Sequence, residues 1–450
     1  MRYLLHSTFD NISSLRHFYD TQKKYIDGKA KKGMKDNRIG FLADFYFSVL
    51  VNGTEEERKK STFVNLKKFI DKYITVKEVT EASVIYQIND RDAFPHFNVA
   101  RSAKEYRQYL DMPIAHCNNT LIMLITRFEE FISDFIRLLY ERYPQKYLDK
   151  QTITFSEISH CETCDIKEKI IVREIDRIMR DSYSVWFNLF SEHKMNFEVC
   201  NSEYEILKEL YARRNIIVHN SGVVNEAYIK NVPTTTANVG EVLYVDDIYI
   251  NSAFEAIKTI MLCILIEGVR IDKDSAKECI REIFYVTFEE LEAENYNTCK
   301  TVFGALSENK FADERIKYMS KVNYWISRIE TDGLPSVKAE IEKFDVSALD
   351  SDFNLAKNTL LQNYNMTTML LEEMYKKGEL LHNIVELWPL FKQYRLSKEY
   401  INFKKTHPEF SGTISLEPVA ENLMQNEEAT NNMKTELADA KEKKNKRSRK

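Results

Sequence analysis

The 450-residue chain is 44% hydrophobic and 30% charged, with only 11 glycines and 8 prolines. That balance excludes a disordered chain, and so little Gly and Pro speaks against many-turned β architectures. The net charge of −5 is uneven: the last ten residues hold seven Lys/Arg and one Glu, a net +6, which leaves −11 on residues 1–440. An acidic body is not the footprint of a non-specific nucleic-acid binder, although an enzyme that grips RNA at one place stays open.

Residues 38–51 and 55–74 read as helices, and 75–88 (TVKEVTEASVIYQI) as one or two strands. Residues 90–98 read as a loop. Pro113 suits a first helical turn, and Leu121, Leu124, Ile125, Phe128, Phe131, Ile132, Phe135 and Leu139 follow at three- and four-residue steps. This predicts a long amphipathic helix ending near Tyr143-Pro144. A second helix is expected over 165–190, and a third over 203–220, closed by Ser221-Gly222. Residues 223–250 read as a β-rich insertion with a strand at VLYVDDIYI. Ser252 and Glu255 then form an S-x-x-E capping box that opens a helix to about Glu267, apolar on nearly every side.

Helices are expected over 289–306, 313–329, 335–344, 353–363, 367–377 and 380–392, with Trp388-Pro389-Leu390-Phe391 as a packing anchor. The fold class is therefore mainly α. An α+β module spans 1–98, a helical bundle 99–273 and an α-hairpin array 274–410. A tail over 411–450 has no aromatic residue and is expected to be disordered, with a basic end. No apolar run approaches the roughly 20 residues of a membrane span, and the N-terminus lacks a secretory pattern, so a cytoplasmic location is expected. Seven cysteines at irregular spacing do not form a secreted disulfide framework.

The glycine-loop chemistries are thin: Gly28 and Gly33 have phosphate-loop spacing, but Met34 stands where the lysine belongs. His160, Cys161 and Cys164 make half a zinc site with no second half, and Cys200 stands alone. Glu129 and Glu130 could face a cleft or simply form a solvated helix face.

The informative segment is Tyr211 to Asn220, YARRNIIVHN, with Arg214, Asn215 and His219 in an R-N-x3-H spacing at a helix end. Here the sequence resembles the HEPN (higher eukaryotes and prokaryotes nucleotide-binding) superfamily over about 113–269. The most specific string is RRNIIVHNSGVVN. Phe128, Glu129 and Phe131 match an F-E-x-F on the first helix, and Tyr183 and Trp186 match an aromatic second helix. The resemblance implies a helical bundle acting as a dimeric, metal-independent endoribonuclease in anti-phage, abortive-infection or toxin systems. Arg214, Asn215 and His219 would be catalytic, with RNA as substrate and no cofactor. A protein partner or trigger is expected at the C-terminal array. The competing expectation is a non-catalytic HEPN-like bundle that dimerises or docks a partner.

The chemistry is consistent with that resemblance. RNA carries its own nucleophile, the 2′-hydroxyl. His can take its proton or protonate the leaving oxygen near neutral pH, and Arg offers a permanent planar fork for the phosphate. Residues five apart on a helix are separated by about 140° and about 7.5 Å of rise, so Arg214 and His219 of one chain do not converge; two copies would build one cleft.

Overall fold

The computed structural model describes residues 1–72, 74–80, 84–89, 94–149, 151–152, 154, 166–181, 183–378 and 382–407. Residues 411–450 and the His160, Cys161 and Cys164 group lie outside these. The fold is mainly α, with a single two-stranded antiparallel sheet among the described residues. By backbone proximity the chain forms two compact units, Met1–Val337 and Lys338–Lys450. The expected N-terminal module, the bundle and the first helices of the array share the first unit.

The first unit opens with α1 (Arg2–Asp36) and α2 (Arg38–Asn52), then α3 (Glu55–Lys59) and α4 (Ser61–Ile70), and the strands β1 (Ile74–Val79) and β2 (Val84–Ile88). Tyr46, Val49, Phe63 and Ile70 give α2 and α4 a small core of their own. Next comes α5, Phe94–Arg142, which is 49 residues long. Its predicted apolar stripe is buried throughout, Leu121 to Leu139.

Two expectations are corrected here. Residues 94–98 are helical rather than a loop, and Pro113 lies inside α5 rather than at its start. A proline there removes one backbone bond and strains the preceding turn. Packing outweighs that cost, because neighbours cover the helix on both sides of Pro113. Before it, Asn37 Nδ2 donates to the Ser102 carbonyl at 2.8 Å and Phe41 meets Tyr106 edge-on at 5.8 Å. After it, Tyr19 of α1 stacks on His116 at 5.0 Å. Gly33 lets α1 approach, since a Cβ there would collide with the Tyr109 ring.

Then follow α6 (Pro144–Leu148), α7 (Ile166–Met179) and α8 (Tyr183–Ser191), so the helix expected over 165–190 is in fact two. Trp186 Nε1 donates to the Ile178 carbonyl at 3.0 Å and fixes the turn between them. The helix expected at 203–220 is α9, Asn201–Asn220.

The insertion at 223–250 is not β-rich. It holds α10 (Glu226–Asn231) and one isolated bridge, Val223 to Val242. VLYVDDIYI does not form a strand because Asp246 caps a helix within it, accepting from the Tyr249 N–H at 2.8 Å. That helix, α11 (Asp247–Gly268), starts before the expected Ser252-Glu255 box and is buried nearly all round, as its composition requires.

The unit closes with α12 (Ala276–Glu292), α13 (Tyr296–Ser307) and α14 (Glu314–Asp332); the expected 289–306 helix is broken at Glu294, whose φ is 63°. The second unit holds α15 (Lys338–Lys343), α16 (Ser351–Leu360), α17 (Tyr364–Lys377), α18 (His382–Leu387) and α19 (Lys398–Thr406). Trp388, Leu390 and Phe391 are buried there, as expected of an anchor. Among the described residues no helix is long and apolar enough to cross a membrane.

Candidate functional site

The candidate site is the C-terminal half of α9. The helix stops at Ser221, in the left-handed region at φ 52°, and the Gly222 N–H returns to the Ile216 carbonyl at 2.9 Å. This is a Schellman-type closure. The segment beyond folds back on the helix. Val224 N–H donates to the Glu241 carbonyl at 2.8 Å and Leu243 N–H to the Gly222 carbonyl at 3.0 Å. Val224, Tyr228 and Val232 pack on Ala212 and Ile216 of α9.

A polar lock holds this arrangement. Glu209 accepts from Arg213 Nε at 2.9 Å and from the Tyr228 hydroxyl at 2.6 Å on one oxygen, and from the Tyr249 hydroxyl on the other. The Arg213 guanidinium also lies 4.9 Å from the centre of the Tyr249 ring. Burial, then the bond to Glu209, pushes the Tyr228 hydroxyl up to about 12. One carboxylate thus ties α9, α10 and α11 together, and the end of α9 has fixed surroundings.

Arg214 is partly exposed, Asn215 and His219 are exposed, and none of the three has an ion pair within 4 Å among the described residues. Arg214 Nη1 donates to Asn215 Oδ1 at 3.3 Å. His219 makes no hydrogen bond or ring contact with another described residue. The helix therefore brings Arg214 and Asn215 together and leaves His219 separate, as the about 140° offset requires.

Arg214 has a polar back wall. Glu129, on the flank of the buried stripe of α5, faces both Arg214 and the Tyr211 hydroxyl. Burial pushes the Glu129 carboxyl above its ordinary value, against the opposing pull of Arg214. Burial, and then Glu129, pushes the Tyr211 hydroxyl well up. That hydroxyl and Arg214 Nε are sealed from solvent and have no hydrogen-bond partner. Tyr183 and Trp186 of α8 wall the Tyr211 ring at 5.5 and 6.1 Å.

The two glutamates of α5 thus part company. Glu130 is solvated and paired with Arg127 at 2.7 Å, while Glu129 faces the site. Sequence reasoning left Glu129 open and missed Tyr211 and Glu209. The Glu209–Arg213 pair carried a signal, its i,i+4 spacing on a helix. Tyr211 carried none, because an aromatic at a helical step reads as core.

No family model matches the sequence, and neither a curated protein nor a solved structure matches it.

Proposed function

We propose that the chain is a HEPN-type, metal-independent endoribonuclease that cuts RNA in a cleft built from two copies of α9, as an anti-phage or toxin effector. The observation that carries this reading is the contrast at the end of α9. Arg213 is taken up by Glu209, while Arg214, with Glu129 behind it, and His219 reach solvent and make no ion pair within 4 Å among the described residues. A cation and an imidazole left unspent on a rigid helix end suit phosphate chemistry better than they suit folding.

In the proposed reaction the 2′-oxygen attacks the adjacent phosphorus and the bond to the 5′-oxygen breaks. One His219 removes the 2′-hydroxyl proton, and the His219 of a second copy protonates the leaving 5′-oxygen. Arg214 stabilises the charge on the phosphate, and Asn215 steadies the guanidinium. The products carry a 2′,3′-cyclic phosphate and a 5′-hydroxyl.

A second reading is a bundle that pairs or docks without cutting RNA. It is favoured by Val218, which is 46% exposed beside His219 and is an apolar group better suited to a protein surface than to RNA. The two readings separate on one experiment. Purified protein is incubated with total RNA in EDTA beside a His219→Ala copy, and the new ends are mapped. Cyclic phosphate ends that depend on His219 support the nuclease; equal cutting by both proteins, or none, rejects it.

A further inference from the structure

We infer that the C-terminal half of α1, with the start of α2 and the facing side of α5, is a docking groove for single-stranded RNA, apart from the cutting site. This rests on RNA being the ligand, as proposed above. Residues 23–38 carry seven Lys/Arg and two Asp, a net +5, in a body whose net charge is −11. Lys23 is spent on Asp27 and Asp247, at 2.8 and 2.7 Å. Lys24, Lys29, Lys31, Lys32, Lys35 and Arg38 are exposed and make no ion pair within 4 Å among the described residues. Like charges held this close repel one another, a cost to the fold that a bound polyanion removes.

The shape narrows the ligand. Lys29, Lys32 and Arg38 line a concavity of about 690 Å³ together with Asp36 of α1 and Glu105 and Tyr109 of α5. Tyr25, Lys29 and Lys32 recur at steps of four and three, so they share one face of α1. Tyr25 is 63% exposed, and Lys29 Nζ lies 5.9 Å from its ring centre. Cations interleaved with aromatic rings suit a single strand, whose phosphates meet the cations while its unpaired bases stack on the rings. Of the two carboxylates, Glu105 is paired with Arg101 at 2.9 Å, and Asp36 is left to accept from a ribose 2′-hydroxyl or a base amine. A bilayer surface is too flat to enter the hollow, and a duplex hides the base faces that the rings take. The groove lies about 30 Å along α5 from Glu129, so it holds a strand away from the end of α9.

The test measures binding of a labelled single-stranded RNA of about 20 nucleotides, longer than one such site, by full-length His219→Ala protein in EDTA across a range of salt. One variant combines Lys29→Gln, Lys32→Gln and Arg38→Gln. Three lost phosphate contacts at about 0.7 each lower the salt slope by about 2, which is about 10²-fold in Kd at about 0.1 M salt. A control variant combines Lys273→Gln, Lys277→Gln and Lys310→Gln, exposed positions of the same unit. It removes the same charge elsewhere and leaves the slope nearly unchanged. Tyr25→Leu raises Kd about tenfold with the slope unchanged, because a ring carries no charge. With His219 intact, the first variant raises KM and keeps kcat and melting temperature.

Equal salt slopes for the two triple variants overturn the groove, while cutting that depends on His219 leaves the nuclease standing. Binding to phosphatidylserine vesicles that the changes at Lys29, Lys32 and Arg38 abolish, with RNA binding unaltered, makes the patch a membrane contact and also overturns the groove. RNA binding that depends on these three cations, in a wild-type protein that leaves RNA uncut in EDTA, supports the groove and removes the nuclease.

Discussion

Arg213 donates from Nε to one oxygen of Glu209 at 2.9 Å, and its Nη2 lies 2.8 Å from the same oxygen, one turn along the same helix. The next residue, Arg214, points to a different neighbour and keeps its Nη edge at the surface. One step along a helix turns a side chain by about 100°, so adjacent arginines meet different surroundings. The first becomes part of the frame and the second keeps an exposed edge, the one that the proposed function uses.

Glu209→Ala should therefore destabilise the first unit without touching the proposed RNA contact. It leaves Arg213 and the Tyr228 and Tyr249 hydroxyls short of an acceptor. The expected loss is about 2–3 kcal/mol, below the full cost of breaking a buried pair because Arg213 keeps the Tyr244 carbonyl at 3.3 Å. Thermal or denaturant unfolding measures it. A change below about 0.5 kcal/mol would show that the lock contributes little.

Two buried tyrosines, Tyr228 in this network and Tyr46 beside Asp71, predict an alkaline weakness. The Tyr228 and Tyr46 hydroxyls are each pushed up to about 12, first by burial and then by Glu209 and Asp71 respectively. Their folded values lie above the unfolded value near 10, so the neutral form is favoured in the native state. Their stabilising contribution is full below pH 10 and is lost as pH rises from about 10 to about 12. Melting temperature should fall across that window, and Tyr228→Phe should fall less steeply than wild type. Parallel curves for the two proteins would remove Tyr228 from the explanation.

Ser221 closes α9 in the left-handed region at φ 52°, where a side chain is strained and glycine is not. Ser221→Gly should add about 0.5–1 kcal/mol and raise the melting temperature by about 1–3 °C. It leaves Arg214 and His219 in place, so RNA cutting is expected to persist. A lower melting temperature would mean that the Ser221 side chain contributes something besides strain.

Assembly is the next expectation. Arg214 and His219 diverge on one helix, so the proposed cleft needs two copies. Sedimentation at micromolar concentration should show a dimer. Arg214→Ala and His219→Ala chains, each inactive alone, should recover part of the activity when mixed. A single-chain mass across that range ends the composite-cleft proposal.

The basic end predicts a salt effect. Residues 441–450 carry a net +6 after an acidic body. As a tether for RNA they would add binding but no site selection, with a salt slope of about 0.7 per phosphate contact on single strands. Deleting these ten residues should flatten the salt dependence of RNA binding and keep the cleavage positions. An unchanged slope leaves them without a role in binding.

The stripe from Leu121 to Leu139 and the all-apolar helix at Ile260 to Ile266 were legible because burial of one face, or of all faces, is written in spacing. So were the end of α9 at Ser221-Gly222 and the R-N-x3-H spacing within it. The strand expected at VLYVDDIYI was not legible. Its β-branched residues favour extension, yet Asp246 supplies a cap and α11 has a core to fill, so tertiary burial overrides local preference. Pro113 misled for the same reason: a local break is tolerated where α1 and α2 cover both sides of it.

The sequence by itself determined the helical class, the buried stripes and the presence of Arg214, Asn215 and His219 on one helix end, because helix geometry alone sets those relations. Only the tertiary structure decided which arginine is locked in an ion pair and which is not, and that Glu129 rather than Glu130 stands behind Arg214. Those partners come from α5, α10 and α11. Glu129 is 85 positions from Arg214 along the chain and beside it in space, and no periodicity in one segment records which segment packs against it.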